Sequence, residues 1–135
     1  QVFANVFMNA PQAMPAGGTL TIRTGARQLT ESTFSEGSRQ AADFWVGDTA
    51  VVAEVEDTGP GVPEAHLLKI FDPFFTTKPT GAGTGLGLAV SRKIIEVHGG
   101  RLDLRNKPVG TGVRVTVMLK AHPKDRHEKT HSTGG

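Results

Sequence analysis

The amino-acid sequence predicts an α+β fold, a two-layer sandwich in which helices cover one face of a mostly antiparallel or mixed sheet. Three observations predict it. Several segments carry apolar residues at every second position, which is the period of a strand. Two other segments repeat apolar residues at helical spacing. The length of 135 residues suits one domain with its own hydrophobic core.

Composition and charge exclude several classes of protein. No apolar run approaches the roughly 18 residues of a membrane span, so we expect neither a spanning helix nor a secretory signal. The absence of cysteine excludes a disulfide scaffold and any thiolate chemistry, and it fits a reducing compartment. The net charge is +2, but residues 120–135 carry four basic and two acidic residues, which leaves residues 1–119 neutral. A nucleic-acid surface needs a clustered basic face, so we expect no nucleic-acid partner.

The first 16 residues predict a helix that ends at Gly17 and Gly18. Pro11 lies inside this helix, where it removes a backbone donor, so we expect it to kink or shorten the helix. Residues 19–24 alternate around Leu20 and Ile22 and predict a half-buried strand. Residues 25–43 are polar and mixed, which indicates a hairpin or a loop. The positions that recur at helical spacing in the first segment are Val2, Val6, Asn9 and Ala13.

The clearest strand covers Ala50–Asp57. Alternation places Val51, Ala53 and Val55 on the inward side and the two intervening glutamates on the other. Asp57 continues the inward side, where a carboxylate is costly unless something binds it. A turn and a short apolar helix over Glu64–Phe71 follow, and then a loop over residues 71–85 with aromatic anchors.

The last third of the chain predicts a helix and two strands. The helix covers Gly85–His98 with one apolar stripe, and Gly99-Gly100 ends it. Strands follow at residues 101–106 and 113–119, and Thr111 has the inward parity if the second strand extends back that far. Residues 1–120 therefore form the predicted domain, and residues 121–135 a polar tail that we expect to be disordered. The stripe consists of Leu86, Val90, Ile94 and Val97.

Two glycine clusters lie at residues 57–61 and 81–88. The second opens a helix, and backbone amides at a glycine-rich helix N-terminus favour a phosphate. Neither GxxxxGK[ST] nor GxGxxG can be placed on it, which argues against a P-loop and against a dinucleotide site. A flexible loop with a glycine-rich cap remains the alternative.

Asp57 and two asparagines add to the phosphate hypothesis. An inward carboxylate beside a glycine turn can accept a hydrogen bond from an amino group such as the adenine 6-amine, although it can also simply cap the turn. Asn5 and Asn9 share one helix face, and amide oxygens can ligate Mg²⁺ together with phosphate oxygens. Surface or capping asparagines are the alternative for this pair.

Four segments occur in order: Asn5–Met14, Asp57–Gly61, Phe71–Lys78 and Gly83–Leu88, with Gly110-Thr111-Gly112 before the last strand. They resemble the N box, first glycine box, F box and second glycine box of the ATP-binding catalytic domain of two-component sensor histidine kinases. That domain belongs to the GHKL superfamily (Bergerat fold), shared with DNA gyrase, MutL and the ATP-dependent heat-shock chaperone. The match covers residues 5–112 and is highly specific.

The resemblance implies a role for each matching residue at the adenine end. Asp57 would read the adenine amine, directly and through a water shared with Thr111. Val62 and Ile70 would form walls of the adenine pocket. The glycines of the first box, Gly59 and Gly61, would line the nucleotide.

At the phosphate end, the resemblance implies that Asn9 ligates the Mg²⁺ that bridges the phosphates, with Asn5 and Gln12 near them. Lys78, on a mobile lid over residues 72–84, would reach the terminal phosphate, so that Asn5, Asn9 and Lys78 form the catalytic set. Backbone amides of the second box would hold the phosphates. These residues are Gly83, Thr84, Gly85, Leu86, Gly87 and Leu88.

Asn5 also bears on the reaction. In gyrase-like ATPases a glutamate occupies this position and activates water, whereas an asparagine cannot act as a general base. The resemblance therefore implies transfer of the γ-phosphoryl group to a histidine on a separate dimerisation domain, and then to an aspartate of a response regulator. The acceptor domain is absent from this sequence. The alternatives are a nucleotide-binding module without kinase activity and an ATP-hydrolysing GHKL relative.

Two departures from the family pattern lead to expectations. Pro11 lies in the helix that carries Asn9 and could displace the metal ligand. The chain starts inside the N box, which indicates an N-terminally truncated fragment with one exposed sheet edge. The resemblance further implies a cytoplasmic domain without direct membrane contact, in a homodimer whose full-length form can be anchored in the inner membrane. The tail motif His127-Glu-Lys-Thr-His131 matches a zinc-protease pattern, but the segment has no apolar face, so we reject that interpretation.

Overall fold

The computed structural model describes residues 1–30, 44–75 and 87–121. Within these ranges four strands form one antiparallel sheet in the order β1-β2-β4-β3. The strands are β1 (Leu20–Gln28), β2 (Thr49–Asp57), β3 (Arg101–Asn106) and β4 (Val113–Lys120). The helices are α1 (Val2–Ala13), α2 (Glu64–Leu67) and α3 (Gly87–Val97). The predicted α+β architecture with an antiparallel sheet is confirmed.

The main core lies between the sheet and the helices α1 and α3. Alternation along β2 and β4 directs one set of side chains to the helices, as the sequence predicts for Val55. A smaller cluster of Leu29, Phe44, Ala50 and Val52 lies on the opposite face of the sheet, with Met118 packed against it. The buried residues of the main core are Val2, Val6, Val55, Ile95, Leu102, Val115 and Val117.

Helix α1 continues through Pro11 and ends two residues later, at Ala13. Its buried side chains, Val2, Val6 and Ala10, are spaced four apart and face the core. Pro11 has no N–H to donate to the Phe7 carbonyl, but only two helical residues follow it, so the loss is confined to the last turn of the helix. Asn9 therefore keeps helical backbone geometry, although the helix ends before residue 16, the limit of the predicted segment.

The edge strand β1 is longer and more exposed than predicted. It continues beyond Thr24 to Gln28, paired with β2 along its whole length. Leu20 and Ile22 are 37% and 50% exposed, so the expectation of a half-buried face was too strong. Among the described residues, helix α1 lies against β2 and α3 against β3, and neither helix covers most of the inner face of β1.

The two later helices also differ from their predicted extents. Helix α2 ends at Leu67 rather than Phe71, because the residues after it form hydrogen-bonded turns such as Lys69 N to His66 O (2.9 Å). In α3 the buried positions are Ser91 and Ile95, whereas Val97, predicted in the apolar stripe, is 71% exposed. In the part of the chain that the structure describes, none of the helices has the length and apolar character needed to cross a membrane.

Charged side chains cover much of the sheet face opposite the helices. Glu56 is only 7% exposed there, and its Oε1 accepts a hydrogen bond from Arg114 Nε at 2.7 Å. Arg23 Nη1 lies 3.2 Å from the same oxygen. The Arg114 hydrogen bond lowers the pKa of Glu56 below its ordinary 4.5; burial opposes this shift, and Arg23 adds to it.

Candidate functional site

Asp57 is the last residue of β2, and its side chain continues the inward face as predicted. Its Oδ1 accepts two backbone hydrogen bonds, from Gly59 N at 3.0 Å and from Val113 N at 3.1 Å. The first is the turn cap that the sequence offered as an alternative, and the second ties the carboxylate to β4. Among the described residues both hydrogen bonds go to Oδ1, so Oδ2 remains available as an acceptor.

Glycines allow the backbone to pass close to this carboxylate. A Cβ on Gly59 would lie 3.2 Å from both Ala13 O and Asp57 Oδ1. Gly112 is buried at φ +112°, and a Cβ there would overlap the backbone carbonyl of Asp57. Only glycine fits both the backbone angle and the space at residue 112. Gly112, the last residue of the Gly-Thr-Gly segment, is therefore part of the wall around Asp57.

Asn106, which the sequence analysis did not single out, fastens the loop after Asp57. Its Nδ2 donates to Val62 O at 2.6 Å, and its Oδ1 accepts from Val62 N at 2.7 Å. Gly61 next to it has φ +80°, and a Cβ there would lie 2.8 Å from Asn106 Oδ1. The only signal in the sequence was an asparagine at a strand end, which also fits an ordinary turn residue.

Asn5 joins α1 to the first turns of α3. Its Nδ2 donates to Gly87 O at 3.3 Å and to Ser91 Oγ at 3.1 Å, and Ser91 is fully buried. Because a backbone carbonyl only accepts, the nitrogen of the Asn5 amide must face α3. Its oxygen is then the group left for a ligand. Ser91, like Asn106, was missed in the sequence, where a serine in an apolar helix carries no distinctive signal.

Asn9 lies one turn after Asn5 and is half-buried on the same side of α1. No hydrogen bond joins the Asn9 side chain to another residue of the described ranges. Gln12, which lies three residues after Asn9 in the same helix, is exposed. The described residues contain no cluster of three His, Cys, Asp or Glu side chains that could hold a metal ion. This finding does not bear on the predicted magnesium ligand, because Asn9 is not one of those four residue types.

The remaining predicted residues divide into three groups. Val62 and Ile70, the predicted pocket walls, are half-buried, as are Gly87 and Leu88 at the start of α3. Thr111 is exposed, because β4 begins only at Val113 and the condition for an inward Thr111 is not met. The others lie outside the described residues, as do most of the predicted lid, the zinc-protease pattern and nearly all of the tail. These others are Lys78, Gly83, Thr84, Gly85 and Leu86.

Comparison with known proteins places this geometry in a family. The family described as histidine kinase-, DNA gyrase B-, and HSP90-like ATPase matches residues 1–123. Sensor histidine kinase GtrS of Pseudomonas aeruginosa is 40% identical over 103 residues, which are 76% of this chain and 22% of that protein. Sensor kinase CckA of Brucella abortus is 42% identical over 125 residues, 88% of this chain and 12% of that protein. The chain thus spans less than a quarter of the length of either relative.

A solved structure gives the same result over most of the chain. The catalytic domain of histidine kinase ThkA, in a nucleotide-free form, superposes with a TM-score of 0.65 and is 35% identical. The match covers 93% of this chain and 68% of that one. This chain therefore belongs to the histidine kinase-, DNA gyrase B- and HSP90-like ATPases, and within them to the catalytic ATP-binding domains of sensor histidine kinases.

Proposed function

We propose that this domain binds Mg·ATP and transfers its γ-phosphoryl group to a histidine on a separate dimerisation domain. The observation that carries the proposal is the orientation of Asp57. Two backbone N–H groups fix its Oδ1, and the other oxygen is left to accept from the adenine amine. A carboxylate held in this way recognises an amino group without having to reorganise on binding.

The glycines and pocket walls support adenine as the bound base. Gly59 and Gly112 leave no room for side chains beside Asp57. Val62 and Ile70 would supply apolar contact to a planar ring, and Gly61 would let the loop between them turn. Thr111, which lies in the exposed loop between β3 and β4, would share a water molecule with Asp57.

The phosphate end fits the same proposal. Asn5 and Asn9 present amide groups from one side of α1, and the hydrogen bonds of Asn5 to α3 leave its oxygen for Mg²⁺ or for a water bound to it. Asn9 would ligate Mg²⁺ directly, and Gln12 would lie near the phosphates. When bound, the metal neutralises charge on the phosphates. Amides of residues 83–88 and the Lys78 side chain would hold the phosphates.

The residue at position 5 favours transfer over hydrolysis. Asn5 has no basic carboxylate to activate water, and α3 uses its amide nitrogen. An imidazole nitrogen of the acceptor would then attack the γ-phosphorus while ADP leaves. The chain's residues contribute positioning and charge, which is most of what phosphoryl transfer requires.

The partners follow from this reaction. The acceptor histidine would belong to the dimerisation domain of the same kinase, which would make the full-length protein a homodimer. An aspartate of a response regulator would receive the phosphoryl group next. We propose a cytoplasmic location for the domain, whether or not the longer protein is anchored in a membrane.

Calorimetry of ATP with and without Mg²⁺, followed by transfer of labelled γ-phosphate to a supplied histidine domain, tests the proposal. We expect magnesium-dependent binding and label on the acceptor. Binding without transfer would favour a nucleotide-binding module, and brisk release of free phosphate would favour an ATP-hydrolysing relative. No binding in either condition would contradict the proposal.

A further inference from the structure

One rung of the β3/β4 ladder holds both ends of the loop over residues 57–62. Asn106 and Val113 are register partners, the last residue of β3 and the first of β4. Val113 N donates to the Asp57 carboxylate at the start of the loop, and Asn106 binds Val62 at its end. The distance between the two ends of the loop is thus set by a single pair of strand residues.

The Asn106 contacts define one orientation of its amide. Both partner atoms belong to the Val62 peptide backbone, one only donating and the other only accepting, so the amide nitrogen must face Val62 O. With distances of 2.6 and 2.7 Å, the side chain satisfies both backbone groups of Val62 at once. The absence of a Cβ on Gly61 makes room for this approach.

We propose that Asn106 is a positioning residue for the purine, although it need not touch the nucleotide. Asn106 holds Val62 at a fixed distance from the Asp57 carboxylate. It thereby sets the separation between Val62, a proposed wall of the adenine pocket, and Asp57, the proposed acceptor of the adenine amine. This inference rests on the proposed function, because Val62 and Asp57 are adenine contacts only if the domain binds ATP.

The role predicts an effect confined to one end of the nucleotide. In Asn106→Ala the loop loses its fixed end, so the affinity for adenosine and for ATP should fall about tenfold. The affinity for Mg·triphosphate, measured as a competitor, should stay within about twofold, because no phosphate contact changes. A general loss of folded protein would lower both affinities together.

Arg105→Ala is the matched control. Arg105 precedes Asn106 on the same strand, is exposed, and lies on the opposite face of the sheet. We expect its affinities for adenosine and for triphosphate to equal those of the wild type. A loss in this variant that matches Asn106→Ala would overturn the assignment.

A measurement on the unaltered domain keeps the proposal testable if Asn106→Ala does not fold. Amide hydrogen exchange at Val62 should be slow in the nucleotide-free wild type, because the Val62 N–H donates to Asn106 Oδ1. Rapid exchange there would contradict the proposed positioning role of Asn106. Parallel loss of adenosine and triphosphate affinity, or an unchanged adenosine affinity in Asn106→Ala, would overturn the Asn106 role alone. A wild-type domain that binds triphosphate but neither adenosine nor ATP would overturn the proposed function as well.

Discussion

At the scale of single residues, the Asp57 side chain has a structural role in the fold and, in the proposed function, a second role in recognising adenine. Its Oδ1 closes a turn through Gly59 N and joins two strands through Val113 N. These bonds leave a defined direction for the second oxygen. The structural alternative considered from the sequence and the proposed adenine contact therefore do not compete, because they use different atoms.

Asp57→Asn should weaken ATP binding by about 1.5–3 kcal/mol, roughly 10- to 150-fold. The amide oxygen of the new side chain would keep accepting from Gly59 N and Val113 N. Its Nδ2 hydrogens would then point toward the adenine amine, so that two hydrogen-bond donors would face each other. Calorimetry measures the loss. Asp103→Asn makes the same chemical change on the outer face of β3, where Asp103 pairs with Arg101 at 2.7 Å, and should leave binding unchanged. Equal affinity of Asp57→Asn and the wild type would remove Asp57 from the site.

Asn9→Ala should lower ATP affinity about tenfold in Mg²⁺ and little in EDTA, because only a metal ligand is lost. Titrations in both buffers give the comparison. Met8→Ala, at a neighbouring position that is 60% exposed, controls for a general change in α1. An equal loss with and without the metal would contradict the ligand role.

At the scale of elements, period-two alternation predicted β2, β3 and β4 to within one residue, because each strand turns an apolar set of side chains toward the helices. It failed for β1 beyond Thr24, where the strand side chains are exposed and, within the described ranges, β2 is the neighbour that pairs with it. The α3 stripe was shifted because Ser91 is buried through its hydrogen bond to Asn5, 86 residues away along the chain. Contacts such as Asp57 with Val113 or Asn106 with Val62 are equally long-range and have no local signal.

The hairpin between β3 and β4 gives a matched pair of glycine substitutions. Gly110 has φ +78° and open space around it, so Gly110→Ala should cost about 1–2 kcal/mol of backbone strain. Gly112→Ala adds an overlap with the Asp57 backbone and should cost at least about 3 kcal/mol in the free energy of unfolding. Urea denaturation measures both. Similar losses for the two variants would show that Gly112 is needed only for its backbone angle.

At the scale of the whole molecule, one face of the sheet carries the helices and the proposed nucleotide site, and the other carries paired charges beside the smaller apolar cluster. Glu56, between Arg23 and Arg114, is the most buried of these charges. Because its pKa is lowered in the folded state, its stabilising contribution is present above the unfolded pKa near 4.5. That contribution is lost as the pH falls through the lower, folded pKa.

Glu56→Gln should therefore lower the free energy of unfolding at pH 7 by about 1–2 kcal/mol, discounted because both arginines reach solvent. Below pH 4.5 the variant should lose less additional stability than the wild type. Denaturant titrations from pH 7 to pH 3 follow both curves. Glu96→Gln, in an exposed pair with Arg92 at 3.4 Å, should behave like the wild type throughout. Parallel curves for Glu56→Gln and the wild type would contradict the ion-pair contribution.

The hydrogen bond from β4 to Asp57 also determines when, during protein synthesis, the Asp57 carboxylate can reach its folded orientation. The ribosome makes β2 and its terminal carboxylate early, but Val113 emerges 56 residues later, and the strand that contains it is the last of the four. A nascent chain halted before this strand contains the N box and both glycine boxes, yet it lacks Val113 N, which holds the Asp57 carboxylate in position. If the domain binds ATP as proposed, we therefore expect the growing polypeptide to bind nucleotide only after the final hairpin has been synthesised.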